Sequence, residues 1–347
     1  MRRLTTTIIA STTALSLLGL VGCSNNASPA ATTPESLAGT SIVVYNAQHK
    51  ELTQALADEF TKTTGVAVTF RQGSDSELGN QLVQEGAGSP ADVFITENSP
   101  SMSLVERAGL FADVDAETLA QVPVGYRPST GKWTGIAARS TVFVYNPSKL
   151  PETDVPNSLV DLADPKWKGR WAASPSGADF QAIVSALLEI KGEEETLSWL
   201  KAMKENFAPY KGNTTVMKAV NAGEVPAGVI YHYYWFRDQA GTKENSSNTK
   251  LHYFKNQDPG AFVSTSGGGV LRSGKNQAAG QAFLKFITGK TGQQILQTGT
   301  SYEYPVASDV EPNPALPTLA SLAAPTIDPS TLNSSRVTDL MTRVGLI

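Results

Sequence analysis

SIVVYNAQHKELTQALADEFTKTTGVAVTFRQGSDSELGNQLVQEGAGSPADVFITEN, residues 41–98, decides the fold. SIVVYN (41–46) is a short β-branched run. KELTQALADEFTKTTG (50–65) puts Leu52, Ala55, Leu56 and Phe60 on one helical face and stops at Gly65. VAVTFRQG (66–73) reads as a strand ending in turn residues, SELGNQLVQEGAG (76–88) as a second helix, and ADVFITEN (91–98) as a third strand. This order predicts an α/β chain with a parallel sheet and helices on both faces. Ligands of such sheets lie at the carboxyl ends of the strands. His49 follows the first strand and Glu97 ends the third, so both are candidate ligand-binding residues.

Outward from this run, a second unit begins near STVFVYNPSKLP (140–151). DLADPKWKGRW (161–171) is a Pro-containing turn rich in Trp and Lys. Helices are expected over 181–192, 194–206 and 215–225, a glycine-rich strand at SGGGVLR (266–272), and helices at 276–288 and 291–298. The proline-rich tail ends in a helical piece near 334–344. With 347 residues, two domains or one large α/β unit are expected. The formal net charge of −4 argues against a nucleic-acid partner.

The beginning of the chain reads differently. Arg2 and Arg3 precede an apolar stretch at residues 7–21, which ends in LVGC (20–23). This is the pattern of a secretory signal, residues 1–22, too short for a confident spanning helix. LVGC looks like a bacterial lipobox, which would make Cys23 a lipidated first residue. Cys23 is also the single cysteine of the chain, so no disulfide is available. Residues 23–40 then form a Ser-, Ala-, Thr- and Pro-rich tether. The localisation expected is the cell envelope, lipid-anchored to the outer face of the cytoplasmic membrane or periplasmic.

Enzyme motifs are missing. GKT (289–291) lacks the phosphate-loop glycine, because Leu284 stands where it belongs. GGG (267–269) has no dinucleotide spacing, and neither HExxH nor GxSxG occurs. The three histidines, His49, His232 and His252, come with no nucleophile elbow. No catalysis is expected. What stands out instead is YHYYW (231–235), where three phenolic hydroxyls crowd together. A packed strand gains little from hydroxyls that each need a partner, whereas a binding site can use them all.

Together VYNAQHKE (44–51), PADVFITEN (90–98), DPKWKGRW (164–171), SPSGADF (174–180), NAGEVPAG (221–228), YYW (233–235) and NQDPGA (256–261) keep the order and spacing of one family. The chain resembles the periplasmic ferric-ion-binding proteins, solute receptors of bacterial iron ABC transporters, from about residue 41 to about 310. The resemblance implies a two-lobed type II periplasmic-binding-protein clamshell with two crossing strands. Lobe one would be 41–140 plus 265–310, and lobe two 141–264 plus 311–347. It implies Fe(III) held by His49, Glu97, Tyr233 and Tyr234. A synergistic anion, carbonate or phosphate, would lie on Ser176, Gly177, Ala178 and Asn213, with Arg139 balancing its charge. The partner implied is an ABC permease, and the receptor would be a monomer.

The chemistry agrees. A hard trivalent cation prefers carboxylate and phenolate oxygen, and a bound cation displaces the phenolic proton. Adjacent strand residues point to opposite faces. Tyr233 and Tyr234 can therefore share one ion only if VIY ends a strand and YYWFRD starts a turn or helix. Three departures bear on the anion and the ligand set. Tyr231-His232 replaces an Asn-Asn pair, Asn98 replaces a Gln, and no third tyrosine stands between 172 and 182. The anion's identity stays open, as does whether Tyr231 or His232 joins the site. The alternative reading is a same-fold receptor for an organic solute such as a phosphonate, thiamine or polyamine.

Overall fold

The structure, a computed structural model, describes residues 37–347. The expected signal peptide, Cys23 and most of the tether lie outside the described residues. The opening run folds in the predicted order, with the third strand confined to Val93–Ile95 of the expected 91–98, so that Glu97 follows the strand instead of ending it. β1 (Ser41–Asn46), α1 (Lys50–Thr64), β2 (Ala67–Gln72), α2 (Asp75–Glu85) and β3 (Val93–Ile95) follow in order. β1 lies between β2 and β3 and is parallel to both. α1 ends where Gly65 takes a left-handed φ of 73° and its N–H caps the carbonyl of Thr61. One position differs from expectation. The buried stripe of α1 runs through Leu52, Thr53, Leu56, Ala57 and Phe60, and Ala55 faces outward. The stripe leans one residue further round the helix than the apolar residues alone suggest.

α3 (Ser99–Arg107) and α4 (Ala116–Ala120) lead into β4 (Thr134–Tyr145), twelve residues long and buried throughout. β4 serves two sheet halves. Its Thr134–Ser140 portion pairs antiparallel with β9 (Val263–Val270), which also pairs with β3. From Thr141 onward its partners are β7 (Ala227–Tyr231) and β8 (Lys250–His252). β7 continues to β5 (Trp171–Ala173), which is parallel to β6 (Phe207–Pro209). The full order is β2-β1-β3-β9-β4-β7-β5-β6. Gly135 sits where the β4–β9 register shifts, and a Cβ there would lie 2.1 Å from the carbonyl oxygen of Tyr126. Only glycine fits that approach.

Alternation along the strands builds a core on each face of each half. In the first half Ile42, Val44, Val93 and Ile95 pack on Phe60 and on Phe283 of α8 (Gln277–Thr288), while Tyr45 and Phe94 face Leu78, Met102 and Trp133. In the second, Phe143 and Tyr145 meet Trp167, Trp171 and Trp199. Val142 and Val144 meet Val216 and Val220 of α6 (Asn213–Ala222). The two helices expected over 181–206 form α5 (Ala178–Asn206), broken at Gly192, whose φ is 76°. After α7 (His232–Ala240), α8 and α9 (Lys290–Thr298), the tail ends in α10 (Ser334–Arg343). Val337, Leu340 and Met341 of α10 join the tryptophan core of the second half. Among the described residues no helix is long and apolar enough to cross a membrane.

Candidate metal centre

The strand ends deliver the site. His49 is the N-cap residue of α1, but its side chain makes no capping bond and stays free for other use. Its Nε2 lies 3.3 Å from Glu97 Oε1. Glu97 stands between β3 and α3, in a loop held by Asp75. One oxygen of Asp75 accepts the Glu97 N–H at 2.8 Å and the other accepts the Asn98 N–H at 2.9 Å.

The tyrosines arrive from the other half. β7 ends at Tyr231 and α7 begins at once with His232, the strand-to-helix change that a shared ion requires. Helical geometry swings Tyr233 and Tyr234 to one side, where their rings stack with centroids 4.3 Å apart. The Tyr233 ring meets the His49 ring edge-on at 5.1 Å, so the two halves touch here.

Asp179 lies at the centre of the arrangement. It occupies the first turn of α5, just after the expected anion loop, where a negative charge suits the helix dipole. Its Oδ1 accepts from Asn98 Nδ2 at 2.9 Å. Its Oδ2 accepts from Asn213 Nδ2 at 2.7 Å and from the Tyr234 hydroxyl at 3.2 Å, with the Tyr233 hydroxyl 3.5 Å away. Of the expected anion-binding residues, Asn213 therefore holds a carboxylate of the chain itself, and Ala178 precedes that residue at the start of α5. Gly177 donates its N–H back to the Ser174 carbonyl, and Ser176 is exposed without a hydrogen bond among the described residues. Arg139 is fully buried and paired with Glu303 at 2.6 Å, its Cζ lying 5.7 Å from the Tyr233 ring centroid.

The remaining aromatics of YHYYW find separate work. The Tyr231 hydroxyl approaches Asn98 Oδ1 at 3.3 Å and the Asp179 carbonyl at 3.4 Å. His232 turns to the crossing strand instead. Its Nδ1 accepts the Ser140 N–H at 3.1 Å, and its ring stacks on Tyr304 at 4.7 Å. Burial pushes the His232 imidazole down to about 4, so it is neutral.

The site is short of positive charge. Glu97, Asp179, Asp75 and Glu303 act on one another here, and Arg139 is the only fully buried Lys or Arg among the described residues. Burial, with Asp179 next, raises the Glu97 carboxyl well above its usual range. Burial also raises Asp75, to about 7, against the two N–H bonds it accepts. Tyr233 and Tyr234 are raised by burial and then by Asp179. Glu303 alone goes the other way. Burial opposes its charge, but Arg139 and His49 hold it at about 2. Among the described residues no group of three or more His, Cys, Asp or Glu side chains is arranged to hold a metal.

Asp179 and Glu303 were not candidates from the sequence. Asp179 adjoins Ser176-Gly177-Ala178, and its signal was an acid in the first turn of a helix, which reads equally as dipole compensation. Glu303 lies 254 residues from His49, and no local pattern announces that contact.

The model of the bacterial extracellular solute-binding proteins matches residues 88–328. The chain belongs to this family. It is 66% identical over 306 residues to the Fe(3+)-binding periplasmic protein of Serratia marcescens, covering 88% of this chain and 90% of that one. It is 36% identical over 323 residues to the major ferric iron-binding protein of Neisseria meningitidis serogroup B, covering 91% and 96%. The crystal structure of iron-bound HitA from Pseudomonas aeruginosa superposes with a TM-score of 0.83 at 40% identity, covering 88% of this chain and 99% of that one. The fold is accordingly the two-lobed type II clamshell expected from the sequence. The relatives matched are binding proteins.

Proposed function

We propose that the protein is an extracytoplasmic receptor that captures one Fe(III) in the interlobe cleft and delivers it to an ABC importer. The observation that carries this is the convergence of Tyr233 and Tyr234 on Asp179, with His49 and Glu97 closing the other side. The donors are hard oxygens and one imidazole, suited to a trivalent cation. The raised Glu97 and tyrosine groups fit as well, because a cation binds their deprotonated forms and reverses the shift.

His49, Glu97, Tyr233 and Tyr234 serve as ligands, and Asp179 joins them. Two phenolates and Glu97 already balance a triply charged ion, and Asp179 adds a further negative charge where the synergistic anion was expected. Carbonate or phosphate would have to displace that carboxylate from Asn213 and Asn98. Fe(III) therefore binds without an added anion in this chain, and Asp179→Asn opens the cradle to one. Arg139 neutralises Glu303 rather than an anion.

The lobes divide as 41–140 plus 265–310 and 141–264 plus 311–347. The change of partners along β4 at Ser140/Thr141 and the packing of α10 on the tryptophan core support this division. Ligands from both lobes favour the closed state, which docks the permease. Lipid attachment at Cys23 holds the monomeric receptor at the membrane.

Equilibrium dialysis of residues 24–347 against Fe(II) chloride oxidised by air in chelator-free, bicarbonate-free buffer tests the reading. One ion per chain should be retained without bicarbonate or phosphate, and Asp179→Asn should retain it only when one of these is supplied. A wild-type protein that retains no iron, with or without anions, contradicts the function. Wild-type retention that needs an added anion contradicts the role given to Asp179.

A further inference from the structure

We propose that Glu303 is a positioning residue for metal capture, fixing the His49 ring with its proton on Nδ1 and its Nε2 lone pair on the side of Glu97. The inference rests on the iron reading above but concerns a residue outside the ligand set. His49 can bind a cation only through a bare ring nitrogen aimed at the other donors, and which nitrogen is bare depends on the bond made by the other one.

The geometry assigns that bond. His49 Nδ1 lies 2.7 Å from Glu303 Oε1. A carboxylate offers no proton, so Nδ1–H donates and Nε2 is left free. Nε2 is the nitrogen beside Glu97, and the ring that carries it meets Tyr233.

Glu303 is held in turn. Its second oxygen accepts from Arg139 Nη2 at 2.6 Å and from Gln48 Nε2 at 3.1 Å, so each oxygen has its own task. Both side chains of the Glu303–Arg139 pair are 0% exposed, and water cannot substitute for either partner. The backbone is fixed as well. Tyr304, the next residue, exchanges backbone hydrogen bonds with Ala138, which precedes Arg139 on β4. Carboxylate, guanidinium and crossing strand thus form one unit behind the imidazole. Arg139 Nε and Nη1 find no acceptor among the described residues, an expensive state for a buried guanidinium. The bond that Arg139 does make, to Glu303 Oε2, leaves Oε1 to His49.

The test begins with apoprotein, residues 24–347, carrying ¹⁵N-labelled histidine. At a pH high enough to leave one ring proton, His49 should show a protonated Nδ1 and a bare Nε2. Glu303→Gln should disturb that assignment and weaken Fe(III) binding about 10- to 100-fold, the usual scale for a group behind a metal ligand. The tyrosine-to-iron absorption band should survive, because both phenolates remain. Arg139→Gln combined with Glu303→Gln removes both buried charges together. It should reproduce the tautomer change in a chain that still folds, even if the single variant does not. A bare Nδ1 in the wild type overturns the proposal, as does iron affinity unmoved in a folded variant. Failure of the wild type to bind iron would instead overturn the reading on which the proposal rests, whatever the tautomer.

Discussion

Tyr233 and Tyr234 show how one chemical group acquires two meanings. Buried beside Asp179 without a cation, each phenol keeps its proton more firmly than a free tyrosine. A trivalent ion reverses that balance, so iron uptake should release protons and weaken on acidification. Tyr233→Phe and Tyr234→Phe each remove an anionic oxygen. Each should weaken Fe(III) binding by more than the roughly 10- to 100-fold typical of groups behind a ligand. Competition with citrate, read as the iron retained per chain, measures this; a Phe variant that competes as well as wild type would remove the tyrosines from the ligand set. At neighbouring His232 the effect is on folding. Its imidazole is pushed down to about 4 from an ordinary 6.5. The unfolded chain takes up that proton from about pH 6.5 downward and the folded chain only near 4, so its contribution is intact above 6.5 and lost between the two. The loss amounts to about 3 kcal/mol. Urea unfolding at neutral and acid pH should show His232→Gln losing less stability on acidification than wild type. Equal losses would mean the ring does not govern that part of the curve.

Among the elements, β4 matters most, because it belongs to both sheet halves and carries Arg139 at the point where its partners change. Gly135→Ala drives a Cβ into the Tyr126 carbonyl and Thr265. It should cost about 1–3 kcal/mol, as overpacking usually does. A urea midpoint within error of wild type would show that the Val124–Tyr126 turn yields freely. The elements also divide by how far they could be read in advance. β1, α1, β2 and α2 are long or sharply bounded, and their periods are visible, whereas β3 keeps only Val93–Ile95 of the run expected over 91–98. Gly192 separates the two halves of α5 as the run 181–206 suggests. β6 and β8 have three residues each, too few for a period, and went unread. β9 begins at Val263, three residues before the glycine-rich run expected there, because Val263-Ser264-Thr265 takes its strand geometry from β4 rather than from its own composition. The site followed the same rule. His49, Glu97, Tyr233 and Tyr234 sit at strand ends within recognisable runs. Asp179 and Glu303 draw their roles from partners distant in the chain, through contacts that span 81 residues to Asn98 and 254 to His49.

For the whole molecule, the cleft is where two separately cored halves meet, and polar and aromatic contacts join them at the candidate site. His49 meets Tyr233, and Asn98 donates to Asp179. A ligand that ties these groups together stabilises the folded, closed chain by mass action, by about 2.7 kcal/mol at a hundredfold excess over its dissociation constant. Iron loading should therefore raise the thermal midpoint of wild type by several degrees and leave Tyr233→Phe nearly unmoved. Equal shifts in both would place the bound iron elsewhere.

Whether paired tyrosinates hold the ion is read from an absorption titration of residues 24–347 with Fe(II) chloride oxidised by air in chelator-free buffer. The protein should become coloured, with a tyrosinate-to-Fe(III) charge-transfer band that saturates at one ion per chain. The band should form without added bicarbonate or phosphate and disappear when Tyr233 and Tyr234 are both replaced by Phe. A protein that stays colourless at neutral pH with both anions supplied would rule out tyrosinate ligands.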